Sequence, residues 1–311
     1  MQEHAEILAN RVKKRYEHLR KRFKKQNIDC FRLYDWDIPE VRAVVDWYDG
    51  HIVIGEYTRT QTGPGWLPRM AQEVVQALGL PPENIHVKKR STKNDRGSKY
   101  AHVAKKGKRF TVNERDLKFW INPSDFLDTG LYSDHRNTRV LFRDMAKDED
   151  VINLYAYTGA FSCAAAKGGA KSIVTVDRSA SNIKWAKDNF ALNDIAHKNY
   201  TFIQSDVDKF LSKVEDSDRK FTLGFVDPPS FFNNESTGQE FDVNLDHMEL
   251  LQNVLKIMAP GATLFFSTNH QRFEPQLEKL DVDDLKELTP KTIPEDFRNQ
   301  QVHRCWQMTV K

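Results

Sequence analysis

The sequence predicts an α/β protein whose larger part is a mostly parallel, seven-stranded sheet covered by helices, preceded by a smaller α+β domain. Three observations carry this. After Asn122-Pro123 strand-like and helix-like segments alternate, the pattern of a parallel sheet covered on both faces. The segment Val151 to Asp177 reads as strand, small-residue turn, helix and second strand ending in an acid. The first 120 residues carry 25 Lys and Arg against 15 Asp and Glu, a net of +10, whereas the remainder carries 22 against 29, a net of −7. A basic front on a mildly acidic body points to a polyanionic partner, although a solvated surface is the better reading for any single lysine.

The chain has 311 residues, enough for two modest domains, and 19 Phe with six Trp supply material for their cores. Cys30, Cys163 and Cys305 form no CxxC pair, which argues for a reducing, cytoplasmic setting and against a metal site. No apolar run approaches the roughly 20 residues needed to span a bilayer, and MQEHAEILANRVKKR lacks the apolar stretch of a signal peptide.

Leu8, Val12, Tyr16, Leu19 and Phe23 recur at helical spacing to about Gln26, with Arg and Lys on the other faces. This helix can cover a protein groove or touch phosphates. Strands follow over 43–48 and 52–57 around Asp49-Gly50, a hairpin signal. A short helix over 69–78 closes at Gly79, and further strands occupy 85–88, 110–113 and 117–121. Lys88, Lys89, Arg90, Lys105, Lys106 and Lys108 belong to a basic stretch suited to neutralising phosphates. The domain boundary falls near residue 122. Beyond it, strands are expected near 150–154, 172–176, 200–205, 221–226, 262–268, 285–289 and 302–310. Helices are expected near 160–168, 180–192, 206–214, 242–258 and 272–280.

Four elements of this second part would meet at the carboxyl ends of the strands. The first is the turn from Asn153 through Tyr155, Tyr157, Thr158, Gly159, Ala160 and Phe161. The second is Asp177 with Arg178 and Ser179, 18 positions after Gly159 and close to the spacing of about 20 at which an acid reaches a ribose. The third is Asp206-Val207, suited to an adenine amino group and ring face. The fourth is Asp227-Pro228-Pro229-Ser230-Phe231. Its prolines make a rigid loop that aims a carboxylate and an aromatic ring into the cleft; a plain strand-ending turn is the alternative. The turn lacks the G-x-G-x-x-G of a dinucleotide site and no phosphate-binding P-loop occurs. A nucleoside without phosphates fits better, of which S-adenosylmethionine is the common one.

Each element resembles its counterpart in the class I S-adenosylmethionine-dependent methyltransferases, whose sheet is Rossmann-like. The segment DTGLYSDHR is similar to one in ribosomal RNA methyltransferases with a D-P-P loop. That resemblance implies that Tyr132, Asp134, His135 and Arg136 approach the methionine end of the cofactor, Arg136 as partner of its carboxylate. An N-cap at Ser133 or Asp134 is equally compatible. Together with FRLYDWDIPE, NLYAYTGAFS, DPPSF and DFRNQQVHRCWQMT, these segments resemble the RlmK family, the C-terminal half of a fused bacterial enzyme. The resemblance implies methylation of N(7) of a guanine in helix 74 of 23S ribosomal RNA, free or in a large-subunit precursor. The fused form also carries a THUMP-containing methyltransferase, here expected as a separate partner.

Relatives that methylate cytosine at C(5) need a cysteine after the fifth strand to attack the base. Here that place reads Phe265-Phe-Ser-Thr-Asn-His270, and Cys30 and Cys305 are expected far from the cleft. Guanine N(7) has a free lone pair and needs placement rather than a base. Asp227, Pro228, Pro229 and Phe231 are therefore the expected catalytic set, with His135 or His270 as secondary contacts. The C(5) reaction, a non-RNA substrate and a non-catalytic RNA-binding module are the alternatives.

Overall fold

A computed structural model describes residues 2–58, 63–91, 109–126, 128–234 and 239–311. The chain divides into two compact units, residues 1–133 with 295–299, and 134–294 with 300–311. The division thus falls about a dozen residues after Asn122-Pro123, and a late segment rejoins the first unit.

The first unit opens with α1 (Gln2–Lys25), which buries Leu8, Val12, Leu19 and Phe23 on one face and ends in Arg22, Lys24 and Lys25, charges that complement its C-terminal dipole. Four strands follow in sheet order β1 (Cys30–Asp35), β2 (Ala43–Tyr48), β3 (His51–Thr58) and β4 (Ile85–Ser91). The β2–β3 turn places both Asp49 and Gly50 at positive φ, the geometry that makes Asp-Gly a hairpin signal. Helix α2 (Trp66–Leu78) links β3 to β4 and ends at Gly79, whose φ of 65° explains the glycine. A separate hairpin joins β5 (Phe110–Glu114) and β6 (Leu117–Ile121). Arg32 pairs with Asp35 and Asp46, each at 2.8 Å, and its backbone N–H donates to Asp296 of the returning segment.

In the second unit α3 (Arg136–Asp144) precedes β7 (Asp150–Leu154), α4 (Ala160–Lys167), β8 (Ser172–Asp177), α5 (Ala180–Leu192), β9 (Tyr200–Gln204), α6 (Val207–Glu215) and β10 (Phe221–Val226). The hairpin β11 (Phe231–Asn234) and β12 (Gln239–Asp242) comes next, then α7 (Val243–Lys256), β13 (Met258–Thr268), β14 (Val282–Glu287), the one-turn α8 (Thr289–Thr292) and β15 (Arg304–Val310). The seven-stranded order is β14-β15-β13-β10-β7-β8-β9. Strands β13, β10, β7, β8 and β9 are parallel, while β15 is antiparallel to both its neighbours. All six residues of β8 are buried, as expected for a strand covered on both faces. From β7 the chain builds one way through β8 and β9, then returns to add β10 on the other side. That reversal opens a crevice at the carboxyl ends of β7 and β10.

Two local expectations differ. Over 272–280 only Leu277–Lys279 is helical, because Pro275 interrupts the pattern. The hairpin after the D-P-P loop was not legible as strands. No helix among the described residues is long and apolar enough to cross a membrane.

Candidate active site at the carboxyl ends of the strands

The turn after β7 is held in an uncommon backbone conformation. Tyr155, Tyr157 and Gly159 all have positive φ, at 55°, 50° and 75°. Two bulky residues there carry strain, which clusters at functional sites. Beneath the turn Asn153 Nδ2 donates to Ser162 Oγ at 2.9 Å, and Thr175 Oγ1 donates to the same oxygen at 2.8 Å. Asn189 Nδ2 donates to the Thr158 carbonyl at 2.9 Å. Asn153 and Thr158, each 1% exposed, thus support the turn from below. Ala160 and Phe161 are buried as well; Phe161 stacks on Phe225 at 3.5 Å between centroids. Gly159 leaves no room for a side chain, since a Cβ there would lie 2.8 Å from that of Ala186.

Asp177 closes the turn from β8. Its Oδ2 accepts the Tyr157 N–H at 2.8 Å, and its Oδ1 accepts from Ser179 N at 2.9 Å and Asn182 Nδ2 at 3.0 Å. Three donors leave one of about four acceptor positions for a ligand hydroxyl. Burial pushes its carboxyl above the usual value despite these bonds. Ser179 caps α5, and the exposed Arg178 lies over the Phe232 ring, 5.0 Å from guanidinium carbon to centroid. At the end of β9, Asp206 caps α6 through the Asp208 N–H at 3.1 Å, and Val207 is buried behind it. Burial, then Asp208 and Asp206, pushes the Tyr155 hydroxyl well up, so the first turn and the third meet.

The D-P-P loop leaves β10 with Pro228 buried and Asp227, Pro229 and Phe231 half-buried. The Ser230 carbonyl accepts the Val243 N–H at 3.1 Å, and its hydroxyl donates to Asn269 Oδ1 at 2.7 Å. His270 serves its own turn, with its Nδ1 accepting the Arg272 N–H at 3.2 Å.

His135 lies below Asp227. Its Nε2 is 3.6 Å from Asp227 Oδ2 and 3.4 Å from Ser267 Oγ, and its Nδ1 is 3.2 Å from Thr138 Oγ1. It stacks on His303, whose Nδ1–H donates to Asp134 Oδ2 at 2.9 Å and whose Nε2 lies 2.9 Å from Thr292 Oγ1. Burial, reinforced by His303, holds His135 well below the usual imidazole range and therefore neutral. Asp134, His135 and His303 bring ligand-type atoms within 4.8 Å. The two rings stack nearly parallel and every ring nitrogen has a partner, so their lone pairs do not converge on a common point.

Several expected positions read differently. Arg136 is 2% exposed, which leaves it little surface to offer a cofactor carboxylate. Lys88 is 4% exposed and donates to the Phe126 carbonyl at 2.5 Å, so it faces the interior rather than phosphates. Tyr132 belongs to the first unit, where its hydroxyl donates to Asp128 at 2.8 Å. Cys305 is nearer the cleft than expected: it pairs with Ser267 across β13–β15, and the Asp227 charge adds to the burial that pushes its thiol up. Lys105, Lys106 and Lys108, and the side chains of Lys89 and Arg90, lie outside the described residues. Sequence reasoning missed His303, Thr292, Ser267 and Asn269. An H-x-C-W strand and an S-T-N-H strand end carry no distinctive spacing.

The chain is similar to "Ribosomal RNA large subunit methyltransferase K/L" of Aeromonas hydrophila, at 38% identity over 98% of this chain, and to that of Shewanella amazonensis, at 40% over 97%. It spans 43% of the length of both relatives. Among solved structures it resembles a proposed SAM-dependent methyltransferase from Streptococcus mutans, with TM-score 0.77 and 20% identity over 98% of this chain and 81% of that one. The SAM-dependent methyltransferase from Agrobacterium tumefaciens gives TM-score 0.65 and 18% identity over 91% of each chain. Residues 86–288 match the family described as S-adenosylmethionine-dependent methyltransferase. The match covers more than half of the sequence, and the chain belongs to the S-adenosylmethionine-dependent methyltransferase family.

Proposed function

We propose that this protein methylates N(7) of a guanine in large-subunit ribosomal RNA, in the cytoplasm. The observation that carries the reading is the rigid Asp227 loop set beside a strand end that bears no thiol. Cys30, Cys163 and Cys305 are all buried, and burial raises the thiols of Cys163 and Cys305, so none offers the nucleophile that carbon methylation demands. The printed names of the relatives, ribosomal RNA large subunit methyltransferases, support the substrate class.

The cofactor, when bound, supplies an electrophilic methyl on a sulfonium. The strained turn around Gly159 would line the cofactor, Asp177 would accept from one ribose hydroxyl, and Asp206 with Val207 would hold its base. Guanine N(7) would take that methyl on its free lone pair, leaving the donor as the neutral thioether and the purine cationic, so no residue has to move a proton. Placement is then the main requirement, and orientation can supply roughly 7–11 kcal/mol of barrier reduction. Phe231 would stack on the base, and Asp227 would face the cation that develops on it. The neutral state of His135 matters here, because an imidazolium 3.6 Å away would offset that carboxylate. The base must leave its helix to enter. Exposed Lys13, Lys14, Arg20, Lys21, Lys24 and Lys25 on α1 would add phosphate contacts.

Labelled-methyl transfer to unmodified large-subunit RNA, followed by borohydride and aniline cleavage, tests the reading. Scission after one guanine is the expected result; incorporation without scission would defeat the N(7) assignment.

A further inference from the structure

We propose that Asn269 selects guanine, by donating from its side-chain amide to O6 of the purine, next to the nitrogen that is methylated. The proposal rests on the guanine reading above and gives it an atomic basis for choosing the base.

Parallel pairing of Val226 with Phe266 brings β10 and β13 out of the sheet side by side. Asp227–Ser230 and Ser267–Asn269 therefore leave the same edge together. Ser230 is fixed to the start of α7 through its carbonyl, and its hydroxyl holds Asn269 Oδ1 at 2.7 Å. The Asn269 backbone carbonyl accepts from Gln271 Nε2 at 3.3 Å. The Ser230 hydroxyl thus engages the side-chain oxygen and leaves the NH2 as the recognition group. Asn269 is exposed, and no described residue accepts from Nδ2.

The Hoogsteen edge of guanine presents two acceptors, N7 and O6, whereas adenine presents N7 as acceptor and N6 as donor. N7 must stay free to attack, so the group at position 6 is the remaining discriminator. With its oxygen turned to Ser230, the amide presents its NH2 to the base, and those hydrogens would oppose the adenine N6 donor. The same hydrogens satisfy O6 of guanine. Ser230 is in this scheme a positioning residue, which gives the D-P-P-S loop a role beyond rigidity.

The test is a cycle between Asn269→Ala and an RNA whose target guanine is replaced by 2-aminopurine, which keeps N7 and lacks O6. Wild type should lose about tenfold in kcat/KM on the replaced RNA, the scale of one hydrogen bond. N269A should lose about tenfold on guanine and show no further loss on 2-aminopurine. Asn269→Asp, close in shape but an acceptor, should lose more than N269A on guanine. Ser230→Ala should narrow the gap between the two RNAs. Calorimetric affinity for S-adenosylmethionine should stay within twofold in N269A, which shows that the cleft is intact. An N269A enzyme that methylates guanine N(7) and still discriminates as wild type overturns this proposal alone. A wild-type enzyme that methylates no guanine N(7) removes the proposed function, and this proposal with it.

Discussion

The imidazoles of His135 and His303 lie face to face, 4.0 Å between centroids and 14° from parallel, directly behind the Asp227 carboxylate. Stacked rings of this kind cannot both be charged without strong repulsion. His135 faces Asp227, Asp134, His303 and Arg139, and burial dominates. Its folded pKa is depressed, so the unfolded chain binds the proton more readily. The associated stability is present above about pH 6.5 and is lost as pH falls through the window below it, at roughly 1.4 kcal/mol per pH unit. Urea unfolding between pH 7.5 and 5 should show this slope, and His135→Gln should flatten it. An equal slope in the variant would mean that other groups govern acid sensitivity.

Asp227→Ala should abolish methyl transfer while shifting Tm little, because the side chain is only half-buried at the end of a strand. Single-turnover assays beside calorimetry of cofactor binding separate the two effects. Normal turnover in this variant would remove Asp227 from the chemistry.

Gly159→Ala should destabilise by about 1–3 kcal/mol, from a left-handed backbone and an overpacked contact together. Its Cβ would sit 2.8 Å from the Ala186 Cβ. Adding Ala186→Gly should relieve the contact and leave the backbone cost. Full recovery in the double variant would show that φ contributes nothing.

Neutralising Lys105, Lys106 and Lys108 should weaken RNA binding and reduce the salt slope by up to about 2–3, given roughly 0.7–0.9 per phosphate contact. Lys88→Met is the contrasting case. It removes a buried donor to the Phe126 carbonyl, and should lower stability without changing the salt slope. A slope unaltered by the triple change would place the phosphate contacts elsewhere.

Much of the fold was legible because its signals are local. The apolar run before Gly159, the acid at the end of β8 and the paired prolines each fix a turn within a few residues. The boundaries of β7, β8 and β10 were therefore predicted within a residue. Asp177 and Asp227 could be picked out because a carboxylate at a strand end has few structural reasons to be there. His303 could not, since its meaning comes from His135, 168 positions earlier, and only the antiparallel insertion of β15 brings them together. Lys88 illustrates the opposite failure. A lysine in a basic run reads as solvent-facing, but β4 alternation turns this one inward, where a carbonyl receives it. Arg136 likewise sits in a motif that suggests ligand contact, and its burial is visible only in the packed structure.

Residues 295–299 complete the first unit, and residues 304–310 supply the strand lying between β13 and β14 in the second. Each unit is thus completed by residues from one late stretch of the chain. A fragment cut at Ser133 would lack the Asp296 carboxylate that meets the Arg32 amide, and a fragment cut at Pro294 would leave β13 with a bare edge. Each unit is therefore discontinuous in sequence, and a break between residues 133 and 295 separates both from a part of themselves.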